Sequence, residues 1–192
     1  MLINKNITDV IKKRRSVFPP QYNDQSLSKE SIEKILEAAN WAPTHKKTEP
    51  WRFKVVRNEQ RVKFGDFLVK AYQKITDADK IKSFKIKKIK ENCQNSQAII
   101  AICMQRDPKQ RIPEWEEIAA TAMAVQNMWL TCHAMGIGGY WSSPGMISEA
   151  GDFFKLAEGE KCLGFFFMGY YNQETELNSE RSGIQEKVVW LE

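Results

Sequence analysis

The 192-residue sequence predicts a fold that mixes α-helices and β-strands. Residues 98–104 are a continuous apolar run, which is typical of a central strand buried on both faces, and residues 161–170 form a second apolar strand. Residues 114–135 are apolar around most of a helix, so this long helix must be buried on most sides. With four shorter segments, the order is helix, helix, strand, helix, strand, long helix, strand, and we expect residues 1–192 to form one domain.

Apolar positions near the N-terminus predict a first helix that ends near Ser16, because Pro19 and Pro20 follow. Asn6 or Thr8 can cap its start. Its end is unusually basic, and cations there either offset the helix dipole or bind an anionic ligand. The predicted face of this helix consists of Ile3, Ile7, Val10, Ile11 and Arg14.

A second helix is predicted over residues 28–40, a strand over residues 51–57 and a third helix over residues 59–75. Ser28 is a good N-cap, since its hydroxyl can accept a hydrogen bond from a free N–H of the first turn. The alternation from Trp51 onward is that of a half-buried strand. The residues predicted to face the core are Ile32, Ile35, Leu36 and Ala39 in the second helix and Val62, Phe67, Leu68 and Ala71 in the third.

Residues 80–90 are a lysine-rich tract that supplies much of the net charge of +5. The tract mixes helical and alternating periods, and a helix would place Ile81, Phe84, Lys88 and Ile89 on one side. We interpret it as a solvated basic face or as a lid over part of the protein. A nucleic-acid surface would need aromatic side chains interleaved with the charge, and only Phe84 is available.

Glycines follow the long helix, which we expect to begin after Pro113 and to end at Gly136. Residues 136–145 permit close backbone approach and positive φ angles. They are not a phosphate loop, because the Gly-x-Gly-x-x-Gly spacing is absent and neither a preceding strand nor a following helix is predicted. The polar tail closes with apolar residues 188–190, which predicts docking on this protomer or on another.

Cysteine spacing and hydropathy exclude several classes of protein. Four widely spread cysteines lack the spacing of a metal site, and we expect Cys103 and Cys132 to be small core residues. No apolar run approaches the roughly 20 residues of a membrane helix, and the N-terminus lacks the apolar centre of a secretory signal. We therefore expect a reduced, cytoplasmic setting without membrane or nucleic-acid partners.

Three stretches carry groups that suit a phosphorylated, planar ligand. Residues 14–16 offer guanidinium and hydroxyl donors for a phosphate. The loop within residues 40–53 brings the flat rings of Trp41 and His45, which alternatively serve packing or cap a turn. Residues 141–143 bring donors beside backbone that glycine makes accessible. The candidate site residues are Arg14, Arg15, Ser16, Trp41, His45, Trp141, Ser142 and Ser143.

In this order and spacing, three motifs resemble the nitroreductase family of flavoproteins. They are Arg-Arg-Ser at 14–16, Ala-Pro-Thr-His-Lys-x-Thr-Glu-Pro-Trp-Arg-Phe at 42–53, and Gly-Ile-Gly-Gly-Tyr-Trp at 136–141. The similarity is greatest to the small members that carry a histidine in the Ala-Pro loop, and it is weakest over residues 58–95. It implies an α+β fold with a central, mostly antiparallel sheet flanked by helices, a long core helix at about 114–135, and a C-terminal tail that reaches the partner subunit.

The resemblance also implies an activity, that of an FMN-dependent oxidoreductase with FMN at the interface of a homodimer. Such an enzyme takes hydride from NADH or NADPH and reduces an electron-poor acceptor, such as a nitroaromatic or a quinone, by a ping-pong mechanism. Carried over by motif, residues 14–16 hold the phosphate and the polar edge of the flavin. Trp41 and His45 line the site, residues 141–143 contact FMN, and Arg181 adds a second phosphate contact.

One position departs from the pattern of many relatives. Lys47 stands where they carry an amide that can pair with the flavin, so that a cation replaces it. The Lys47 ammonium either stabilises negative charge on the reduced flavin or points to solvent. Two other functions stay open: a reductive dehalogenase or enone reductase on the same scaffold, and a non-catalytic binding protein that uses residues 80–90.

Overall fold

The computed structural model of the chain describes residues 6–174, 177 and 179–192. These residues form a four-stranded antiparallel sheet, with the strands in the order β1-β2-β4-β3, and helices cover both of its faces. The α+β fold with an antiparallel sheet is therefore confirmed. The elements are α1 (Ile7–Lys13), α2 (Lys29–Asn40), β1 (Trp51–Arg57), α3 (Gln60–Ile75), α4 (Ser83–Asn95), β2 (Ala98–Gln105), α5 (Glu114–Ala134), β3 (Ile137–Ser142), α6 (Ala150–Phe154) and β4 (Glu160–Tyr170).

The two apolar runs form strands β2 and β4, as predicted, and these are the two central strands of the sheet. Side chains alternate along a strand, so β2 supplies two cores. Ile100 and Ile102 pack in the core that α2 and α5 complete. Ile99 and Ala101 pack in the core that α3, α4 and α6 complete. The sheet is therefore a layer between two sets of helices.

Helix α5 is the long core helix, and it begins directly after Pro113 and ends one residue short of the prediction. Gly136 follows its C-cap with φ of +74°, which confirms the predicted glycine end. The N-terminal half of α5 nevertheless exposes the large apolar side chains of Trp115, Ile118 and Met123. None of the helices in the described ranges is long and apolar enough to cross a membrane.

The glycine-rich stretch after α5 forms the edge strand β3, which the sequence prediction missed. Glycine is depleted in strands, so its abundance disguised the element. Here the strand packs too closely for side chains at two positions. A Cβ on Gly138 would lie 2.8 Å from the Cβ of Val17, and one on Gly139 would lie 2.4 Å from Cζ of Phe166.

Several details of the first, third and fourth helices differ from the prediction. Helix α1 ends at Lys13 rather than near Ser16, because the chain is already extended at Arg14. Ile3 of its predicted face lies outside the described residues. The inward prediction for Val62 is wrong, and Phe84, 61 % exposed, does not share the buried side of α4. The side chains that pack inward are Phe64, Leu68, Ala71 and Tyr72 of α3 and Ile86, Ile89 and Cys93 of α4.

Candidate functional site

Three arginines meet at the end of α1 around a cavity of about 240 Å³. Arg14, Arg15 and Arg181 line it together with Ser179. Arg15 is held by the backbone, since its Nε donates to the carbonyl of Leu177 at 3.0 Å. The pKa of Arg14 is lowered, first by burial and then by the charges of the other two arginines. This concentration of positive charge favours an anion in the cavity.

Arg14 also has an unused donor. Its Nη1 is buried and has no hydrogen-bond partner within the described part of the chain. The guanidinium lies over the ring of Trp129 in α5, 4.5 Å from the ring centroid. A buried, unpaired guanidinium N–H costs free energy, and a phosphate oxygen in the adjacent cavity would satisfy it.

The ring of Trp129 connects the arginine cavity with a second cavity of about 490 Å³, which is lined by aromatic and aliphatic side chains. The indole N–H groups of Trp129 and Trp141 are both buried and lack acceptors among the residues described. The indole of Trp141 packs directly against the backbone of Gly164, because a Cβ at residue 164 would lie 2.3 Å from the indole Nε1. The lining residues are Ile118, Trp129, Trp141, Ser143 and Leu163.

This donor set fits a phosphorylated aromatic cofactor. Clustered guanidinium groups suit a phosphate, and a mainly apolar cavity with a few N–H and O–H groups suits a planar ring with polar edges. Trp129 was absent from the predicted site. A tryptophan within a buried helix is typical of packing, so no signal in the sequence separated it from the core.

The predicted Arg-Arg-Ser motif and the glycine-rich stretch are brought together. Ser16 forms a parallel bridge with Gly139 of β3, and the Val17 N–H donates to the carbonyl of Gly139 at 3.1 Å. Residues 141–143 then divide between the two sides of the sheet. Trp141 and Ser143 face the cavity beside Trp129, whereas Ser142 lines another cavity next to α3 and α4.

The Ala-Pro loop lies elsewhere in the chain. The Nδ1 of His45 is 2.6 Å from Oε2 of Glu116, near the start of α5. Arg14 contacts Trp129 near the other end of the same helix. At 1.5 Å per residue, Glu116 and Trp129 are roughly 20 Å apart along α5. Trp41 is 78 % exposed and Lys47 is also exposed, so one chain does not bring this loop to the arginines.

The loop is nonetheless held in an unusual conformation. Lys46, Lys47 and Glu49 have φ of 50°, 54° and 41°, a left-handed region that residues other than glycine rarely adopt. The Thr44 hydroxyl accepts a hydrogen bond from the backbone N–H of Glu49 at 3.1 Å, and Lys46 donates to the carbonyl of Arg111 at 3.1 Å. Strain of this kind persists where surrounding contacts determine the geometry, and it clusters at functional sites.

The described residues contain no group of three or more His, Cys, Asp or Glu side chains that could hold a metal ion. Cys103 and Cys132 are fully buried, as predicted for core residues. Burial also raises the pKa of the Cys132 thiol, which keeps it in the unreactive protonated form.

Comparison with known proteins agrees with this architecture. The sequence profile of the nitroreductase family matches residues 11–170. A nitroreductase-like family protein from Bacillus cereus is 30 % identical in sequence, with a TM-score of 0.84 over 100 % of this chain and 99 % of that one. A nitroreductase with bound FMN from Bacteroides fragilis shares the fold, with 20 % identity and a TM-score of 0.71 over 98 % of this chain and 100 % of that one.

A curated relative extends the match over most of the sequence. YfhC from Bacillus subtilis, provisionally named an NAD(P)H nitroreductase, is 26 % identical over 183 residues, which cover 94 % of this chain and 92 % of YfhC. The match to the family profile spans the three motifs and every helix and strand named above, apart from the start of α1. The chain belongs to the nitroreductase family.

Proposed function

We propose that the protein is an FMN-dependent oxidoreductase that takes hydride from NADH or NADPH and passes it to an electron-poor acceptor. The observation that carries the proposal is the buried Nη1 of Arg14, which has no hydrogen-bond partner among the residues that the structure describes and belongs to a side chain that lines the arginine cavity and covers the ring of Trp129. Family membership, the FMN bound by the Bacteroides fragilis relative and the name of YfhC support the choice of cofactor and reductant.

Arg14, Arg15 and Arg181 hold the phosphate of the cofactor through charge-assisted hydrogen bonds. The ring system lies against Trp129 and Trp141, whose indole N–H groups can donate to its polar atoms. When bound, FMN supplies the redox chemistry, because it accepts hydride from NAD(P)H and delivers it to the acceptor. The side chains of this protein bind and orient the cofactor and exclude water from the site. The hydride donor and the acceptor occupy the same side of the pocket in turn, which is a ping-pong scheme.

The site is completed by a second copy of the chain. The Ala-Pro loop and the arginines lie at opposite ends of α5, and two copies related by a two-fold axis can bring opposite ends of this helix together. The exposed apolar side chains of Trp115, Ile118 and Met123 on α5 support an interface there. The tail supplies further apolar surface, since Val189, Trp190 and Leu191 are all more than 80 % exposed. Trp41, His45 and Lys47 of one protomer then face the cofactor of its partner.

The visible absorption spectrum tests the proposal directly. Purified protein is saturated with FMN, separated from free FMN by gel filtration, and treated with NADPH or NADH under anaerobic conditions. We expect a bound yellow chromophore that bleaches with reductant and regains its colour when nitrobenzene or a quinone is added. A protein that FMN neither colours nor stabilises would refute the function. Elution at the mass of one 22.3-kDa chain would refute the shared site.

A further inference from the structure

A separate cavity of about 490 Å³ lies between the α3–α4 pair, the end of β3 and the segment that follows it. Its volume is in the range of about 300–1,000 Å³ that is typical of sites for small organic ligands. The walls are mainly aromatic and aliphatic, and they include Tyr72, Ile89, Tyr140, Phe165 and Phe167. Walls of this kind suit a flat, apolar body.

The charged groups that line this cavity all have the same sign. Lys85 and Lys88 of α4 both line it, and no carboxylate does so among the described residues. Lys85 lies 5.7 Å from the ring centroid of Tyr72, and neither lysine has an ion-pair partner in the described ranges. The two other lysines of the helix that point elsewhere are paired, since Lys87 contacts Glu91 at 3.7 Å and Lys90 contacts Asp66 at 2.8 Å.

We propose that this cavity binds a small aromatic carboxylate, whose ring lies among the aromatic walls and whose carboxylate pairs with Lys85 and Lys88. The inference goes beyond the proposed function, because it concerns a site on the other side of the sheet from Trp129 and holds whether or not FMN binds. Ser142 and Asn92 also line the cavity and offer further polar contacts.

Charge and shape favour a ring compound with one negative charge. A lysine ammonium acts as a compact point charge without the planar fork of arginine, so it can pair with an anion that the apolar walls position. Two lysines at the edge of a mainly apolar cavity match a monoanion attached to a ring. Residues 80–90 are therefore more than a solvated basic face. Some of their lysines form surface ion pairs, and Lys85 and Lys88 line the cavity.

The test measures binding of 2-naphthoate and of its neutral isostere 2-naphthamide by isothermal titration calorimetry. Titrations use the full-length protein as purified and after saturation with FMN. The variant is Lys85→Met with Lys88→Met, and the matched control is Lys87→Met on the same helix. All three lysines are exposed, so these substitutions leave the core intact.

We expect naphthoate to bind more tightly than naphthamide, and the double variant to remove this preference by weakening naphthoate about tenfold. The control variant keeps the preference, and added salt reduces it. Equal affinity for the two ligands, or equal losses in the double variant and in Lys87→Met, would overturn the proposal. Displacement of naphthoate by FMN would also overturn it, because the cavity would then belong to the cofactor. A protein that binds naphthoate but not FMN would support this site and refute the proposed function alone.

Discussion

Replacement of Arg14 by methionine should weaken FMN binding without a matching loss of riboflavin binding. In the proposed site the guanidinium donates to the phosphate, and riboflavin is the same ring system without a phosphate. Methionine keeps an apolar stem of similar length beside Trp129 but removes the charge and all five N–H donors. The comparison of the two ligands therefore isolates the phosphate contact.

The magnitude follows from the contacts of this residue. A hydrogen bond to a charged group contributes about 1.5–3 kcal/mol, which corresponds to a loss of FMN affinity of roughly 10- to 150-fold. The fold itself should lose little stability. The cation–π contact with Trp129, about 0.5–1 kcal/mol, disappears, but so does the repulsion from Arg15 and Arg181 that helps to lower the pKa of Arg14.

The assay is quenching of flavin fluorescence, titrated with FMN and with riboflavin against wild type, Arg14→Met and Lys13→Met. Lys13 is an exposed cation in the last turn of α1 that does not line the arginine cavity, so its variant controls for net charge. An equal loss for both ligands in Arg14→Met would refute the reasoning, since it would mean that the substitution disturbs the site as a whole. Unchanged FMN affinity would exclude Arg14 from the phosphate site.

Three further predictions concern stability and the edge strand. Glu117 is fully buried and ion-paired, so Glu117→Leu should lower the free energy of unfolding in urea by about 3–5 kcal/mol; a loss below about 1 kcal/mol would contradict this. Asp107 accepts a hydrogen bond from Arg111 at 2.7 Å, which is the main cause that lowers its pKa from 3.8 to about 2. The stability advantage of wild type over Asp107→Asn should therefore be complete above about pH 5 and disappear as the pH falls from about 4 to 2; an advantage independent of pH in urea titrations would contradict it. Gly139→Ala places a Cβ 2.4 Å from Cζ of Phe166 and should cost about 1–3 kcal/mol of stability with weaker FMN binding, whereas Gly151→Ala, which meets no atom within 4 Å, should not.

The sequence predicted the central strands and α5 because their hydrophobic patterns are long and unambiguous. Strand β3 was not predicted because the reason for its glycines is steric. Gly138 and Gly139 leave room for Val17 and Phe166, which are distant in the sequence, and no local pattern indicates such contacts. The sequence places Val62 in the core because an apolar residue at helical spacing resembles a core position. The buried face of α3 is instead the one that packs against α4 and the sheet, and it carries Phe64, Leu68 and Tyr72.

The candidate site was predictable by residue type and less so by position. The roles of Arg14, Arg15 and Arg181 stay predictions, although the structure places all three around one cavity. Motif order in the sequence also joined the Ala-Pro loop to this group. The chain instead holds His45 at the start of α5, roughly 20 Å along the helix from the ring that Arg14 covers.

A single sequence cannot report this separation, because a motif records which residue types occur along the chain and not how far apart the fold places them. The strained backbone of Lys46, Lys47 and Glu49 is informative here, since a loop whose side chains were merely solvated would gain nothing from three left-handed residues. Its contacts run to Glu116 and Arg111, so α5 and the segment before it fix the loop from within its own chain. The same helix exposes the apolar side chains of Trp115, Ile118 and Met123. Helix α5 thus sets the loop geometry and forms the surface across which, in our proposal, that loop meets the second cofactor.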